Sequence, residues 1–286
     1  MHLHGKTMPH KAKKVGRPIA GFVNICPRQL RDEKPDHFYV WESTIKHELM
    51  HALVFTPNLY EYFQAAKGPP PKEGKPKIVP GVFERFKRLE WETAKGYVSH
   101  DVYMIVSPKV KEEARRFFNC PDLEGAELES QDGRASTSGG RGSAFAHWEK
   151  RIFEEEGMSA IITTYFAFSR ITLALFEDSG WYQVNYNNAD EMSFGRGLGC
   201  NFAKQSCLSW IKTNKDDPYP FCNVLYDTRC SANRMDKLRC NMVRGSKGLP
   251  AHFDYNALDV YKDKKGRPIQ GHGLLAFADY CPYYSV

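Results

Sequence analysis

The chain has 286 residues, is 42% hydrophobic, 13% aromatic and 26% charged, and carries a net charge of +6 at pH 7. That profile belongs to a globular protein able to bury a sizeable core in one or two domains. The positive charge is spread along the chain apart from Lys11, Lys13 and Lys14, which excludes the concentrated basic footprint of a nucleic-acid binder.

Residues 1–16 are basic, His-rich and without periodicity, and are expected to lack order. The opening Met1-His2-Leu3-His4-Gly5 has no apolar core of a secretory signal, and no apolar run in the chain is long enough to span a bilayer. Residues 19–26, closed by Pro27, read as a short strand, and a charged loop over 28–36 follows.

Residues 44–53 are then expected to form a helix, with Ser43 or Thr44 as its cap. It contains His47-Glu48-Leu49-Met50-His51, the pattern H-E-x-x-H. On a helix the imidazoles at i and i+4 leave one face a turn apart, close enough to share a zinc ion, and the carboxylate between them can reach a water on that ion. With Ile45 as origin and about 100° per residue, Leu49, Ala52 and Leu53 fall within about 80° of it, whereas His47 and His51 lie near ~200° and ~240°. The expected core stripe is therefore Ile45, Leu49, Ala52 and Leu53, with the histidines off it.

Residues 67–81 are rich in Pro, Gly and Lys and read as an exposed loop. Residues 102–106 are an apolar strand candidate, and Ser107-Pro108 opens a helix whose face is Val110, Ala114, Phe117 and Phe118. A Gly- and Ser-rich stretch over 130–143 precedes His147, and Gly157-Met158-Ser159-Ala160 reads as a tight turn. Phe168, Ile171, Thr172 and Leu175 mark an amphipathic helix stopped at Gly180. The remainder has little periodicity but holds Cys200, Cys207, Cys222, Cys230 and Cys240, five of the eight cysteines. An even count clustered in a loop-rich stretch suits a disulfide framework, with a structural zinc site or buried thiols as the alternative.

A catalytic zinc needs a third protein ligand and an open position for water. His147 and His100 are the candidates. His147 is favoured because Met158 follows it in a turn, where a thioether can floor the ligands.

The stretches His47 to Leu53 and His147-Trp148-Glu149-Lys150-Arg151, with Met158, resemble the leishmanolysin family of metzincin metallopeptidases. So do Phe118-Asn119-Cys120-Pro121, Gly195-Arg196-Gly197-Leu198-Gly199-Cys200 and Ala278-Asp279-Tyr280-Cys281-Pro282. The likeness runs from about residue 16 to the end, and the long interval between His51 and His147 matches the family's inserted subdomain. The resemblance implies an α+β fold with one catalytic Zn2+ held by His47, His51 and His147, Glu48 as catalytic base and Met158 as the Met-turn residue. It also implies a division into a disordered start (1–16), a remnant of the N-terminal catalytic subdomain with a truncated sheet and the zinc helix (17–66), and an inserted subdomain with flexible loops (67–145). The third ligand, Met-turn and following helix (146–182) and a cysteine-rich, disulfide-stabilised lobe (183–286) complete it.

The implied activity is metalloendopeptidase cleavage of protein or peptide substrates. Family members include membrane-anchored, secreted and cytoplasmic forms, so membrane association is an open expectation. The family also places glycine three residues after the second histidine, where this chain has Val54. A β-branched residue held at positive φ there would be strained by roughly 1–3 kcal/mol. Val54 and the truncated N-terminal sheet therefore motivate a second reading, a weakened or inactive homologue acting as an interaction or adhesion module.

Overall fold

The computed structural model describes residues 6–9, 16–23, 38–68, 76–130, 144–161, 166–232, 234–245 and 248–286. Helices and short antiparallel sheets alternate through them, an α+β arrangement. None of the described helices is long and apolar enough to cross a membrane.

Two short strands, β1 (Lys6–Pro9) and β2 (Pro18–Phe22), pair antiparallel with Lys6 opposite Phe22. The expectation that the first 16 residues lack order is thus corrected for Lys6–Pro9. A polar segment needs no apolar period of its own when a neighbouring strand satisfies its backbone groups. The expected strand over 19–26 is shorter than read, and residues 24–26 lie outside the described residues.

Helix α1 (Phe38–Leu53) begins well before Ser43 and Thr44, so neither caps it. Thr44 Oγ1 instead donates to the Val40 carbonyl at 2.7 Å, the back-bond of a hydroxyl inside a helix. The face of α1 turned inward overlaps the expected stripe only at Ala52. Thr44, Glu48 and Ala52, spaced i, i+4, i+8, are buried, while Ile45, Leu49 and Leu53 remain 38%, 45% and 38% exposed. The buried side is the one carrying the H-E-x-x-H residues, because their polar atoms find partners there, as described below.

Strands β3 (Phe83–Thr93) and β4 (Gly96–Ile105) form a hairpin to which β5 (Ala126–Leu128) adds on the β4 edge. Helix α2 (Pro108–Phe118) buries Val110, Ala114 and Phe118. Its free amides at Lys109 and Val110 donate to the Asp178 carboxylate at 2.9–3.1 Å, which ties α2 to α3 (Arg170–Asp178). Asn119 ends α2 in the left-handed conformation at φ 55°.

The C-terminal part contains α4 (Gly199–Lys204), α5 (Cys207–Thr213), the strands β6 (Thr228–Cys230), β7 (Lys237–Cys240) and β10 (Tyr284–Ser285) in one sheet, and β8 (Met242–Arg244) paired with β9 (Gly271–Gly273). Among the described residues three disulfides are formed: Cys120–Cys200, Cys207–Cys281 and Cys222–Cys240. The first fastens the end of α2 to α4. Cys230 is an exposed free thiol.

Candidate metal centre

Two turns of α1 supply His47 and His51, and the chain returns to them 96 positions later with His147. What brings His147 back is a short run of backbone pairing beyond β5. Leu128 and Trp148 form an antiparallel bridge, the Glu129 amide donates to the His147 carbonyl at 2.9 Å, and the Glu149 amide donates to the Glu127 carbonyl at 3.0 Å. On its other side Trp148 donates its amide to the Met158 carbonyl at 3.0 Å. The third histidine therefore lies between a strand extension and the Gly157–Ala160 turn.

Glu156 holds that turn in shape. Its fully buried carboxylate accepts from the Met158 amide at 2.6 Å, the Ser169 amide at 3.0 Å, and the Ser169 and Thr172 hydroxyls at 2.8 and 2.5 Å. Met158, in the same turn, is completely buried. Phe55 packs on Trp148 with ring centroids 4.6 Å apart, closing the gap between the end of α1 and the His147 segment.

The three imidazoles converge through Nε2. His51 Nε2 is 2.9 Å from His47 Nε2 and 3.1 Å from His147 Nε2. Each Nδ1 faces outward to an acceptor: His47 to the Gly157 carbonyl at 2.6 Å, His51 to the Phe55 carbonyl at 2.8 Å, and His147 to a Glu129 carboxylate oxygen at 3.0 Å. A carbonyl or carboxylate oxygen can only accept, so each ring carries its proton on Nδ1 and points an Nε2 lone pair inward.

Three lone pairs facing one another at this range repel unless a cation stands among them. Nitrogens bound to one zinc at about 2.0–2.1 Å and tetrahedral angles stand roughly 3.3 Å apart, close to the spacing observed. The donor set therefore fits a zinc ion.

Burial drives the electrostatics of the site. It pushes His47 down to about 3, reinforced by His147 and opposed by the Gly157 carbonyl, and it takes His51 well below the ordinary imidazole range. Both rings are neutral at pH 7, the state that can ligate a metal. Burial also pushes the Glu48 carboxyl up to about 7, against an opposing influence of His147. Glu48 is thus poised near neutrality on the same helix as two of the three imidazoles.

The structure therefore gathers His47, His51 and His147 at one point and leaves His100 elsewhere. His100 is buried against Trp91, ring centroids 4.3 Å apart, and stacks on His252 at 5.3 Å. Val54 departs from expectation. Among the described residues the non-glycine positions with positive φ do not include it. Its amide continues the helical bonding to the Met50 carbonyl at 2.9 Å and its side chain is completely buried. The chain leaves α1 by a second bond to the same carbonyl, from the Phe55 amide, so no left-handed residue is needed at that point. The expected strain at Val54 is absent.

Sequence reasoning did not single out Glu129 or Glu156, or the carbonyls of Gly157 and Phe55. Backbone acceptors leave no mark in a residue pattern. Glu129 is one of several acids in the stretch from Asp122 to Asp132, so its residue type did not set it apart.

A three-histidine centre with a buried glutamate on the helix that carries two of its members, set on mixed helix and sheet, defines a class of metallopeptidase architecture. The chain belongs to the leishmanolysin family, whose model, described as Leishmanolysin, matches residues 7–286. It is 39% identical to a leishmanolysin-like peptidase of Caenorhabditis elegans over 93% of this chain and 43% of that protein. Against a leishmanolysin-like peptidase of Drosophila pseudoobscura pseudoobscura the identity is 40%, over 94% of this chain and 41% of the other. A leishmanolysin of Leishmania major is 27% identical over 93% of this chain and 37% of its own length. The chain thus spans less than half the length of these curated relatives.

Proposed function

We propose that this chain carries the centre of a zinc-dependent endopeptidase acting on protein or peptide substrates. The observation that supports the reading best is the inward convergence of three Nε2 lone pairs, each fixed by an outward Nδ1 bond; Glu48 is buried on the helix that carries two of them and feels the charge of His147.

His47, His51 and His147 would hold the zinc, which when bound supplies Lewis acidity toward a peptide carbonyl and toward water. Glu48 is the general base. It takes a proton from the attacking water as the new bond to the carbonyl carbon forms, then delivers that proton to the departing amine nitrogen as the C–N bond breaks. Burial raises the Glu48 carboxyl and so eases its protonation, while the charge of a bound zinc would favour its ionised form, so the group can both take and return the proton. No acyl-enzyme forms, so the chemistry needs neither a serine nor a cysteine nucleophile. The Glu156-stapled turn presents the Gly157 carbonyl to His47, and its buried Met158 would supply the apolar floor of the ligands.

The weakened-homologue reading drew on strain at Val54 and on the truncated N-terminal sheet, and the unstrained φ at Val54 takes away the first of these two supports. The test is metal analysis of the purified chain after dialysis against zinc, together with cleavage of a peptide library by wild type and Glu48→Ala. One zinc per chain in both proteins and cleavage by wild type alone support the function. Lack of stoichiometric zinc in wild type, or equal cleavage by the two proteins, overturns it.

A further inference from the structure

The three imidazoles are not held alike. His47 and His51 donate Nδ1–H to neutral backbone carbonyls, whereas His147 donates to the side chain of Glu129, itself only 1% exposed. We propose that Glu129 is the positioning residue of the third ligand, setting the tautomer, orientation and donor strength of His147. The inference rests on the zinc reading of the site given above.

The pairing of the two residues is built into the backbone. Because Leu128 and Trp148 bridge antiparallel, Glu129 stands opposite His147 and their side chains leave the same face. Amide bonds flank the pair: Glu129 donates to the His147 carbonyl, and Phe145 donates to the Glu129 carbonyl at 2.9 Å. The backbone on both sides of the contact is therefore fixed, and only a side-chain rotation within a site where Glu129 is 1% exposed would part the carboxylate from the ring.

The next rung of the same face is also charged and buried. Glu127 stands opposite Glu149, and the fully buried Arg151 guanidinium bonds Glu127 at 2.7 Å and Asp279 at 3.4 Å. Arg151 also donates to the Gln205 carbonyl at 3.2 Å and lies 5.0 Å from the Trp91 ring centre. The frame behind Glu129 is thus anchored to the α4–α5 junction and to Asp279, two residues before the Cys207–Cys281 disulfide. A carboxylate on Nδ1–H raises the donor strength of Nε2 and fixes the ring plane, and loss of such a partner lowers metal affinity by roughly 10- to 100-fold. Of the three ligands, His147 alone receives this charge.

The experiment measures zinc dissociation constants of the full chain by competition with a chromophoric chelator for wild type, Glu129→Gln and Glu129→Ala. It also records the visible spectrum of each protein loaded with Co2+. The expected result is a weakening of about 10- to 100-fold in Glu129→Ala and a smaller one in Glu129→Gln, whose amide oxygen still accepts from Nδ1–H. The cobalt bands should shift in Glu129→Ala and return toward wild type in Glu129→Gln. If Glu129→Ala does not fold, the near-isosteric Glu129→Gln decides alone: weaker zinc binding supports the proposal and unchanged binding overturns it. Wild-type binding with equal affinity in the variants overturns the role of Glu129 only. Absence of zinc binding by wild type overturns the reading of the site and this inference together.

Discussion

The Nδ1 of His47 lies 2.6 Å from the carbonyl oxygen of Gly157, so the helix carrying two of the imidazoles is bonded directly to the turn that contains Met158. Gly157 itself has no room for a side chain. A Cβ placed there would come within 2.6 Å of Phe168 Cε1 and 2.8 Å of Cδ1. Gly157→Ala must displace the Phe168 ring or the turn, and with the turn goes the acceptor for His47. The expected outcome is a stability loss of about 1–3 kcal/mol by chemical denaturation, accompanied by weaker zinc binding in the same variant.

Val54 yields a second expectation, opposite to the one its position in the motif suggests. A glycine there would relieve no strain, because the residue already lies at negative φ, and it would remove a completely buried side chain. Val54→Gly should lose roughly 2–4 kcal/mol from forfeited burial and added chain freedom, with no gain in peptide cleavage. Denaturant unfolding together with a peptide-cleavage rate checks both halves.

A pH dependence follows from His100. Burial, reinforced by His252, Arg151 and Arg88, pushes this ring down to about 3, against 6.5 in an unfolded chain. Between those values the unfolded state binds a proton that the folded state refuses, so this group's contribution to stability is intact above about 6.5 and declines as pH falls toward 3. His100→Gln should remove that slope. Measured by urea unfolding from pH 6 down to pH 4, the stability of wild type relative to the variant should fall by roughly 1 kcal/mol per pH unit.

How much of this was legible beforehand depended on how local the cause was. The spacing of His47, Glu48 and His51 is a property of one helix turn, and the Pro108 entry and Gly180 exit of the two later helices are equally local. The orientation of α1 was misread because periodicity names the apolar side without showing that anything covers it. Ile45, Leu49 and Leu53 stay part-exposed, while the carbonyls of Gly157, 110 positions from His47, and of Phe55, four residues past His51, accept from the polar side.

Strand β3 escaped notice for another reason. Its larger apolar residues stand at Phe83, Phe86, Leu89 and Trp91, and the register shift between Arg88 and Trp91 breaks the alternation on which a strand is recognised. The cysteines pointed to cross-linking, but Cys120 and Cys281, which lie outside the dense cluster, supply partners in two of the three bonds. Pairing of that kind is decided by tertiary contact, as is the meeting of Glu129 with His147.

The interval of 96 positions between His51 and His147 also bears on when the site comes into being. Bringing two points so far apart in the chain together costs roughly 4 kcal/mol of loop-closure entropy, a cost met only once the β3–β4 hairpin and the β5 extension have formed. Metal uptake by a refolding chain should accordingly be a late event, slower than formation of α1 and synchronous with the burial of Trp148. A zinc-sensitive dye followed in a stopped-flow refolding experiment would then time the completion of the fold rather than the appearance of its helix.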